Sequence, residues 1–447
     1  MADRTDNLAG TAPAGRERQR VVVLGGGFAG INAALELAKL PVDVTLVDRK
    51  NYHTFQPLLY QVALAVLSPA DIAQPIRSIL RDHPNIEVLM DEAVGFDLGP
   101  KRVKLKTGSV LEYDYLIVAT GSTHSYFGHE DWAKLAPGLK TVEDATEIRR
   151  RVLLAFELAE RQMMEHGTHP PLNFVIVGGG PTGVELAGAI SDIARLYMRN
   201  NFRYIDTRQT SVLILEGTPN ILAMYPDDLQ QKAREQLEAL GVRVRTGAIV
   251  TDVQPGYVMV GAERIDAVVT LWAAGVQPSP LGKLLGVLTD RKGCVLVDQY
   301  LNPKGHPEIF VCGDLAHVEE NGRLLPGVAQ PAIQMGVYAA RRIGYLVGQQ
   351  AGSEGRALKG FHYFDKGDMA TIGRKAAIAR IVWPFKADWS GFMAWLAWLM
   401  VHIYFLIGFR NRLGVFRQWA WTYLTLQDGA RLITGSQELP GWKERGK

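Results

Sequence analysis

Cysteine is almost absent: the 447 residues hold only Cys294 and Cys312, far apart and in no CxxC pair. A dithiol redox centre and a four-cysteine zinc site are both excluded, no metal site is expected, and a chain without disulfides suits a reducing compartment. Cys312, at the end of an apolar strand, is most simply a small buried residue. Charge of one sign is also scarce. A net charge of +3 is too small to argue for nucleic acid as a partner. The first residues, Met1 to Arg20, lack an apolar stretch and mix Asp3, Asp6 and Glu17 among Ala, Gly and Arg. They read as a disordered tail and not as a secretory signal, which points to the cytoplasm.

What is present is glycine in two ordered patterns. The apolar run Phe174 to Val177 reads as a buried parallel strand, and Gly178-x-Gly180-x-x-Gly183 follows it, opening a helix through Val184, Leu186 and Ala187. Gly178 permits the tight turn, Gly180 lets the backbone approach a pyrophosphate, and Gly183 lets helix and strand pack closely. The free N–H groups at the helix start face the phosphates. A second strand, Ser211 to Glu216, ends in a carboxylate placed to accept from a ribose 2′-OH and to repel a 2′-phosphate, which favours NADH over NADPH. A strand-end Glu that is only solvated is the plainer alternative.

The other pattern comes earlier. Val21 to Leu24 reads as a strand, Gly25, Gly27 and Gly30 occupy the fingerprint positions, and Asp48 closes the strand that begins at Val42. Tyr115 to Gly121 and Val268 to Gly275 are apolar strands that each end in glycine. The interval from Gly25 to Gly121 nearly equals that from Gly178 to Gly275, so the chain looks duplicated. With 447 residues there is room for two or three domains. Insertion of the second unit into the first requires a returning segment, and Pro307 to Asp314 supplies one, delivering Asp314 behind Gly313. In isolation a plain Gly-Asp turn is the better reading; the duplicated architecture favours the ligand contact.

The arrangement resembles the flavin-dependent pyridine nucleotide reductases. Three further stretches, Asn51 to Ala63, Gly327 to Gly336 and Phe364 to Ala377, resemble type II NADH dehydrogenases, single-subunit NADH:quinone oxidoreductases that pump no ions. The resemblance runs from about Arg20 to about Ile433. It implies an α/β fold of two Rossmann-like dinucleotide-binding domains, the second inserted in the first, plus a C-terminal helical membrane-anchoring region. The implied segments are a tail over 1–20, FAD-binding over 21–140, NADH-binding over 141–284, FAD-binding again over 285–365, and the anchor over 366–447.

By the same resemblance, Gly25, Gly27, Gly30, Asp48 and Asp314 would hold FAD, with Phe28, Ala29, Arg49, Ala119, Thr120, Gly121, Gly313, Ala329 and Gln330 beside it. Gly178, Gly180, Gly183 and Glu216 would hold NADH, with Pro181, Thr182, Glu185, Ala274 and Gly275. Hydride would pass from NADH to the flavin, and two electrons from there to a membrane quinone.

Four residues are candidates at the reaction itself. Gln330 and Gln334 lie one helical turn apart and share a face; an amide can donate to a quinone carbonyl without titrating, although core hydrogen bonding is an equal reading for Gln334. The family repeats glutamine at the next position, where this chain has Met335. Lys375 follows Gly373-Arg374 and either approaches the quinone or is a surface cation. Glu185, near the positive end of a helix, is either a favourably placed carboxylate or, as the resemblance implies, a group that takes part in substrate binding or supplies a proton to the quinone.

Beyond Trp389 the composition changes. Gly391 to Phe409 is apolar apart from His402 and long enough for a membrane span, yet Trp395 and Trp398 sit within it and not at its ends. Val415 to Leu424 continues the aromatic character but is too polar to span. Arg374, Lys375, Arg380, Lys386, Arg410, Arg412 and Arg417 face only Asp388 in charge. A monotopic anchor on the lipid bilayer surface is therefore expected, on the cytoplasmic face of a bacterial inner membrane. A homodimer would use the same kind of aromatic patch. Competing readings are a soluble NADH-dependent flavoprotein reductase with a protein acceptor, and a nucleotide-sensing scaffold without turnover.

Overall fold

The structure is a computed structural model that describes residues 18–350, 358–407, 409–425 and 430–442. The disordered-tail expectation for Met1 to Arg20 falls outside the described residues as far as position 17. Two compact units divide the chain: residues up to Lys50, Leu80–Thr120 and Pro280–Phe361 form one, and Asn51–Ile79, Gly121–Ser279 and the chain from His362 form the other.

The first unit is built on a five-stranded parallel sheet in the order Ile309–Val311, Tyr115–Val118, Gln19–Leu24, Val42–Asp48, Ile86–Met90. Runs of Val, Leu and Ile bury both faces of its central strands, as a parallel sheet covered by helices requires. The returning strand rejoins this sheet, with Ile309 in register with Leu116. Helix Phe28–Leu37 packs on helix Ala329–Gln350. Their approach needs Gly336, where a side-chain carbon would collide with the carbonyl of Ala29.

The second unit repeats the plan with four parallel strands, Val242–Arg245, Ser211–Leu215, Asn173–Val177 and Val269–Trp272. It also takes in segments that the sequence divides otherwise. Helix Leu59–Ala63 lies on helix Val142–His166, whose buried Arg149 donates from Nη2 to Leu67 O at 2.7 Å and from Nε to Val62 O at 2.8 Å. The C-terminal region is continuous with this unit. Strands Gly367–Thr371, Ala377–Ile381 and Ala387–Ser390 form an antiparallel sheet that shares buried Ala377, Ala379, Ala394 and Trp395 with helix Phe392–Phe405.

One expectation needs correction, and the weaker reading of another segment falls away. The strands taken to run to Gly121 and Gly275 stop at Val118 and Trp272, because both glycines are left-handed, with φ of 64° and 84°. The apolar run from Gly391 does not form a span: its helix ends at Phe405, Leu406 turns to an extended conformation, and Arg412 donates to the Leu406 carbonyl at 2.7 Å. Among the described residues no helix is long and apolar enough to cross a membrane. Trp395 and Trp398 are buried in protein, and the His402 ring bonds the Trp398 carbonyl at 2.6 Å. Burial holds that imidazole down at about 4, so it is neutral.

Candidate active site

The two glycine turns have the same construction. Gly25 N–H donates to Val47 O at 2.8 Å, and Gly178 N–H donates to Leu215 O at 2.8 Å. Gly25 and Gly178 have φ of 100° and 106°. A side-chain carbon at Gly25 would stand 2.5 Å from Ala119 O, and one at Gly178 2.6 Å from the Ala273 carbonyl carbon. At Gly30 and Gly183 it would collide with the carbonyls of Gly25 and Gly178. These four glycines are required by the protein itself.

Gly27 and Gly180 differ. Each caps its helix, Phe28–Leu37 or Pro181–Asp192, with an ordinary negative φ, and a side-chain carbon on either would meet nothing within 4 Å. The protein leaves space there that it does not use. This is the cradle a pyrophosphate needs at a helix start.

Each turn also holds an acid. Gly26 N–H donates to Asp48 Oδ2 at 2.6 Å, and Lys50 N–H to Oδ1 at 2.7 Å. In the second unit Gly179 N–H donates to Glu216 Oε2 at 2.6 Å, and Thr218 N–H to Oε1 at 2.8 Å. Beside the first turn, Thr120 Oγ1 is buried with no protein partner. Phe28 and Ala29 open the first helix, while Arg49 is exposed. Pro181 and Thr182 open the second, and Ala274 precedes Gly275, over which the Phe127 ring lies.

Gly313, in the left-handed region at φ 73°, lies beside Ala29 and Ala332, and Asp314 lies beside Gly327. The structure thus brings Gly313 and Asp314 to the first turn, together with the start of the helix that carries Ala329, Gln330 and Gln334. Met335 does not belong to a polar lining. It is buried, and its thioether sulfur accepts from Gly313 N–H at 3.2 Å, so the departure from the family pattern supports the Asp314 turn from beneath.

In the second unit Glu185 stands on helix Pro181–Asp192, which packs on strand Gly367–Thr371 so closely that a side-chain carbon at Gly188 would stand 2.5 Å from Gly373 N. Burial pushes the Glu185 carboxyl up to about 8, against the pull of a main-chain hydrogen bond from Thr371. Two turns along the helix, buried Asp192 is pushed up to about 7 by the same cause, opposed by the main chain and charge of Arg374 and by the charge of Arg195. Tyr225 and Asp368 are both raised by burial, and Tyr225 is raised further by the charges of Asp368 and Glu185. Lys375 is exposed, whereas Gly373 and Arg374 beside it face Asp192.

Sequence reasoning passed over Asp192, Thr371, Tyr60 and Gln61. Asp192 carries a signal in its heptad spacing from Glu185; the other three lie within the stretches Asn51 to Ala63 and Phe364 to Ala377 that resemble the family, with nothing there to single them out. Among the described residues no group of three or more His, Cys, Asp and Glu side chains could hold a metal ion.

The surface of the C-terminal helices is apolar. Phe392, Met393, Met400, Tyr404, Phe416 and Trp421 are all exposed, with Arg412 and Arg417 among them.

Known proteins share this architecture. The profile of the pyridine nucleotide-disulphide oxidoreductase family matches residues 19–336. The chain is 42% identical to the type II NADH:quinone oxidoreductase NdhA of Mycobacterium tuberculosis over 93% of this chain and 90% of that protein. It is 41% identical to the type II NADH:quinone oxidoreductase Ndh of the same organism, over 94% and 91%. The solved structure of NDH2 from Plasmodium falciparum in complex with NADH superposes with a TM-score of 0.80 at 20% identity, covering 94% of this chain and all of that one. The chain belongs to the pyridine nucleotide-disulphide oxidoreductase family and, within it, to the type II NADH:quinone oxidoreductases.

Proposed function

We propose that the protein is a respiratory NADH:quinone oxidoreductase that holds FAD at the first glycine turn, binds NADH at the second, and reduces a membrane quinone without pumping ions. The observation that carries this is the paired cradle: two turns of one geometry, each with an acid at its mouth and unused space over its central glycine. When bound, FAD supplies the step that proteins lack, accepting a hydride and passing on two electrons.

The rest belongs to this chain. Gly27 and Gly180 admit the two pyrophosphates, and Asp48 and Glu216 orient the riboses through oxygens already fixed by main-chain N–H groups. The unpartnered Thr120 hydroxyl, with Gly313 and Asp314, offers polar contacts to FAD. Quinone reduction takes up two protons, and Glu185, protonated at neutral pH, is suited to donate one. Gln330 and Gln334 offer amides to a quinone carbonyl, while exposed Lys375 is assigned to the surface.

The exposed apolar and basic face of helices Phe392–Phe405 and Phe409–Thr425 suits a monotopic seat on an anionic bilayer. Because NADH is the substrate, the bacterial cytoplasmic face is the fitting side. A homodimer would share part of that face.

Steady-state oxidation of NADH and NADPH by the FAD-loaded protein, with a short-chain quinone as acceptor, tests the assignment. Rapid NADH turnover with little NADPH activity supports it. Fast flavin reduction without quinone turnover replaces the quinone by a protein acceptor.

A further inference from the structure

The strongest unexplained feature is a line of buried polar side chains in the second unit. Trp419, on helix Phe409–Thr425, donates its indole N–H to Gln61 Oε1 at 2.7 Å. Gln61 Nε2 donates to the Tyr60 hydroxyl at 3.0 Å, and Thr371 Oγ1 donates to the same hydroxyl at 3.0 Å. All four residues are under 9% exposed. Thr371 is the junction, because its side chain bonds Tyr60 and its strand, Gly367–Thr371, packs on the helix that carries Glu185.

Such a line is costly to bury and holds its members in one geometry only while every member is satisfied. Aromatic rings enclose it. Tyr60 meets Trp398 edge-on at 6.4 Å, and Trp398 lies 5.9 Å from Trp419. The helix that contributes Trp419 presents Phe416 and Trp421 outward, so one rigid element carries both the exposed apolar face and the end of the line.

We propose that Tyr60 is a positioning residue for the reaction at Glu185: through Thr371 it fixes the end of the strand that packs on the helix of Glu185, and through Gln61 and Trp419 it ties that strand to the seating of the C-terminal helix. Tyr60 acts in this way only if Glu185 exchanges a proton during quinone reduction, as proposed above. The titratable group coupled to Glu185 is Tyr225, which Asp368 also acts on; Asp192 and Arg374 act on each other at the far end of the same helix-hairpin contact.

The test follows the two half-reactions by stopped flow across pH 6 to 9.5 in the FAD-loaded full chain and in Tyr60→Phe, Trp419→Phe and Glu185→Gln, with exposed Trp421→Phe as control. Thermal unfolding is followed over the same range. Glu185→Gln flattens the pH dependence of the quinone step. Tyr60→Phe keeps the ring but loosens the end of the Gly367–Thr371 strand, whose main chain draws the carboxyl down, so the midpoint moves up by about half a unit or more, and Trp419→Phe moves it the same way by less. Flavin reduction by NADH stays within about twofold in Tyr60→Phe and Trp419→Phe, and Trp421→Phe behaves as wild type.

A uniform loss of rate in Tyr60→Phe with an unmoved or lowered midpoint overturns the inference. A wild-type pH profile in Glu185→Gln overturns instead the role of Glu185 on which it depends. If Tyr60→Phe does not fold, Thr371→Val removes the same hydrogen bond at nearly constant volume and is held to the same outcomes.

Discussion

The amide of Gly179 donates to Glu216 Oε2 at 2.6 Å, which fixes the carboxylate at the mouth of the second glycine turn. Oε1 is held in the same way by Thr218 N–H, yet each oxygen keeps lone pairs for a ribose hydroxyl. A 2′-phosphate would meet an immobile negative charge. Glu216→Gln is therefore expected to shift the NADPH-to-NADH ratio of kcat/KM by roughly tenfold toward NADPH, equivalent to about 1.4 kcal/mol. Steady-state assays with both nucleotides check it; an unchanged ratio would mean that Glu216 does not face the ribose.

The first turn separates glycines required by the protein from one that only a ligand needs. Gly27→Ala adds a methyl group to open space at an ordinary φ, so the apoprotein keeps its melting temperature while FAD affinity falls by tenfold or more, about 1.4 kcal/mol. Gly25→Ala adds one at φ 100° and 2.5 Å from a carbonyl oxygen, and is expected to destabilise the fold by about 1–3 kcal/mol or more. Flavin content and thermal melts of the two variants distinguish these effects. Equal melting losses would remove the case for a ligand at Gly27.

Glu185 predicts a pH dependence of definite sign. Its folded value of about 8 lies above the ordinary 4.5, so folding favours the protonated form. The associated stability is complete below pH 4.5 and is lost as pH rises through about 8. Asp192 acts in the same direction between 3.8 and about 7. Wild type should therefore lose melting temperature from pH 5 to 9 relative to Glu185→Gln. The same variant should slow quinone reduction by roughly 10²-fold, and flavin reduction by NADH far less. Equal effects on both half-reactions would take Glu185 out of the chemistry.

How much of this is visible in the sequence depends on the range of the contact. Gly25, Gly27, Gly30 and their counterparts at Gly178, Gly180 and Gly183 announce themselves because turn, close approach and packing all fall within one short local motif. The duplication and the return of Pro307 to Asp314 follow from counting. The line from Trp419 to Gln61 to Tyr60 to Thr371 joins three distant stretches of chain, and no local pattern marks it. Trp395 and Trp398 look like interface aromatics until the antiparallel sheet beneath them is seen to bury them. Met335 looks like a lost amide until its sulfur is found under Gly313.

That burial changes how the membrane face is tested. Removing the chain beyond Trp389 would also remove Trp398, Val415 and Trp419 from the core of the second unit, so a truncation reports unfolding. Point substitution separates the two. Met400→Glu and Phe416→Glu, at exposed positions, are expected to weaken co-sedimentation with anionic vesicles by tenfold or more each, since each apolar side chain buried in lipid contributes about 1.5–3 kcal/mol. Their melting temperatures should stay at wild type. Trp398→Ala, in the core, should cost about 3–5 kcal/mol of stability. Undiminished vesicle binding in both glutamate variants would place the lipid contact elsewhere.

The poverty in cysteine has a practical side. Cys312 is wholly enclosed and its thiol is raised by burial, while the Cys294 thiol, also raised, donates to the Asp314 carbonyl at 3.7 Å. Little thiolate is on offer from either. A maleimide probe attached to one cysteine introduced at Met400 or Phe416 would thus report from that position against a nearly silent background, without first rebuilding the molecule as a cysteine-free variant.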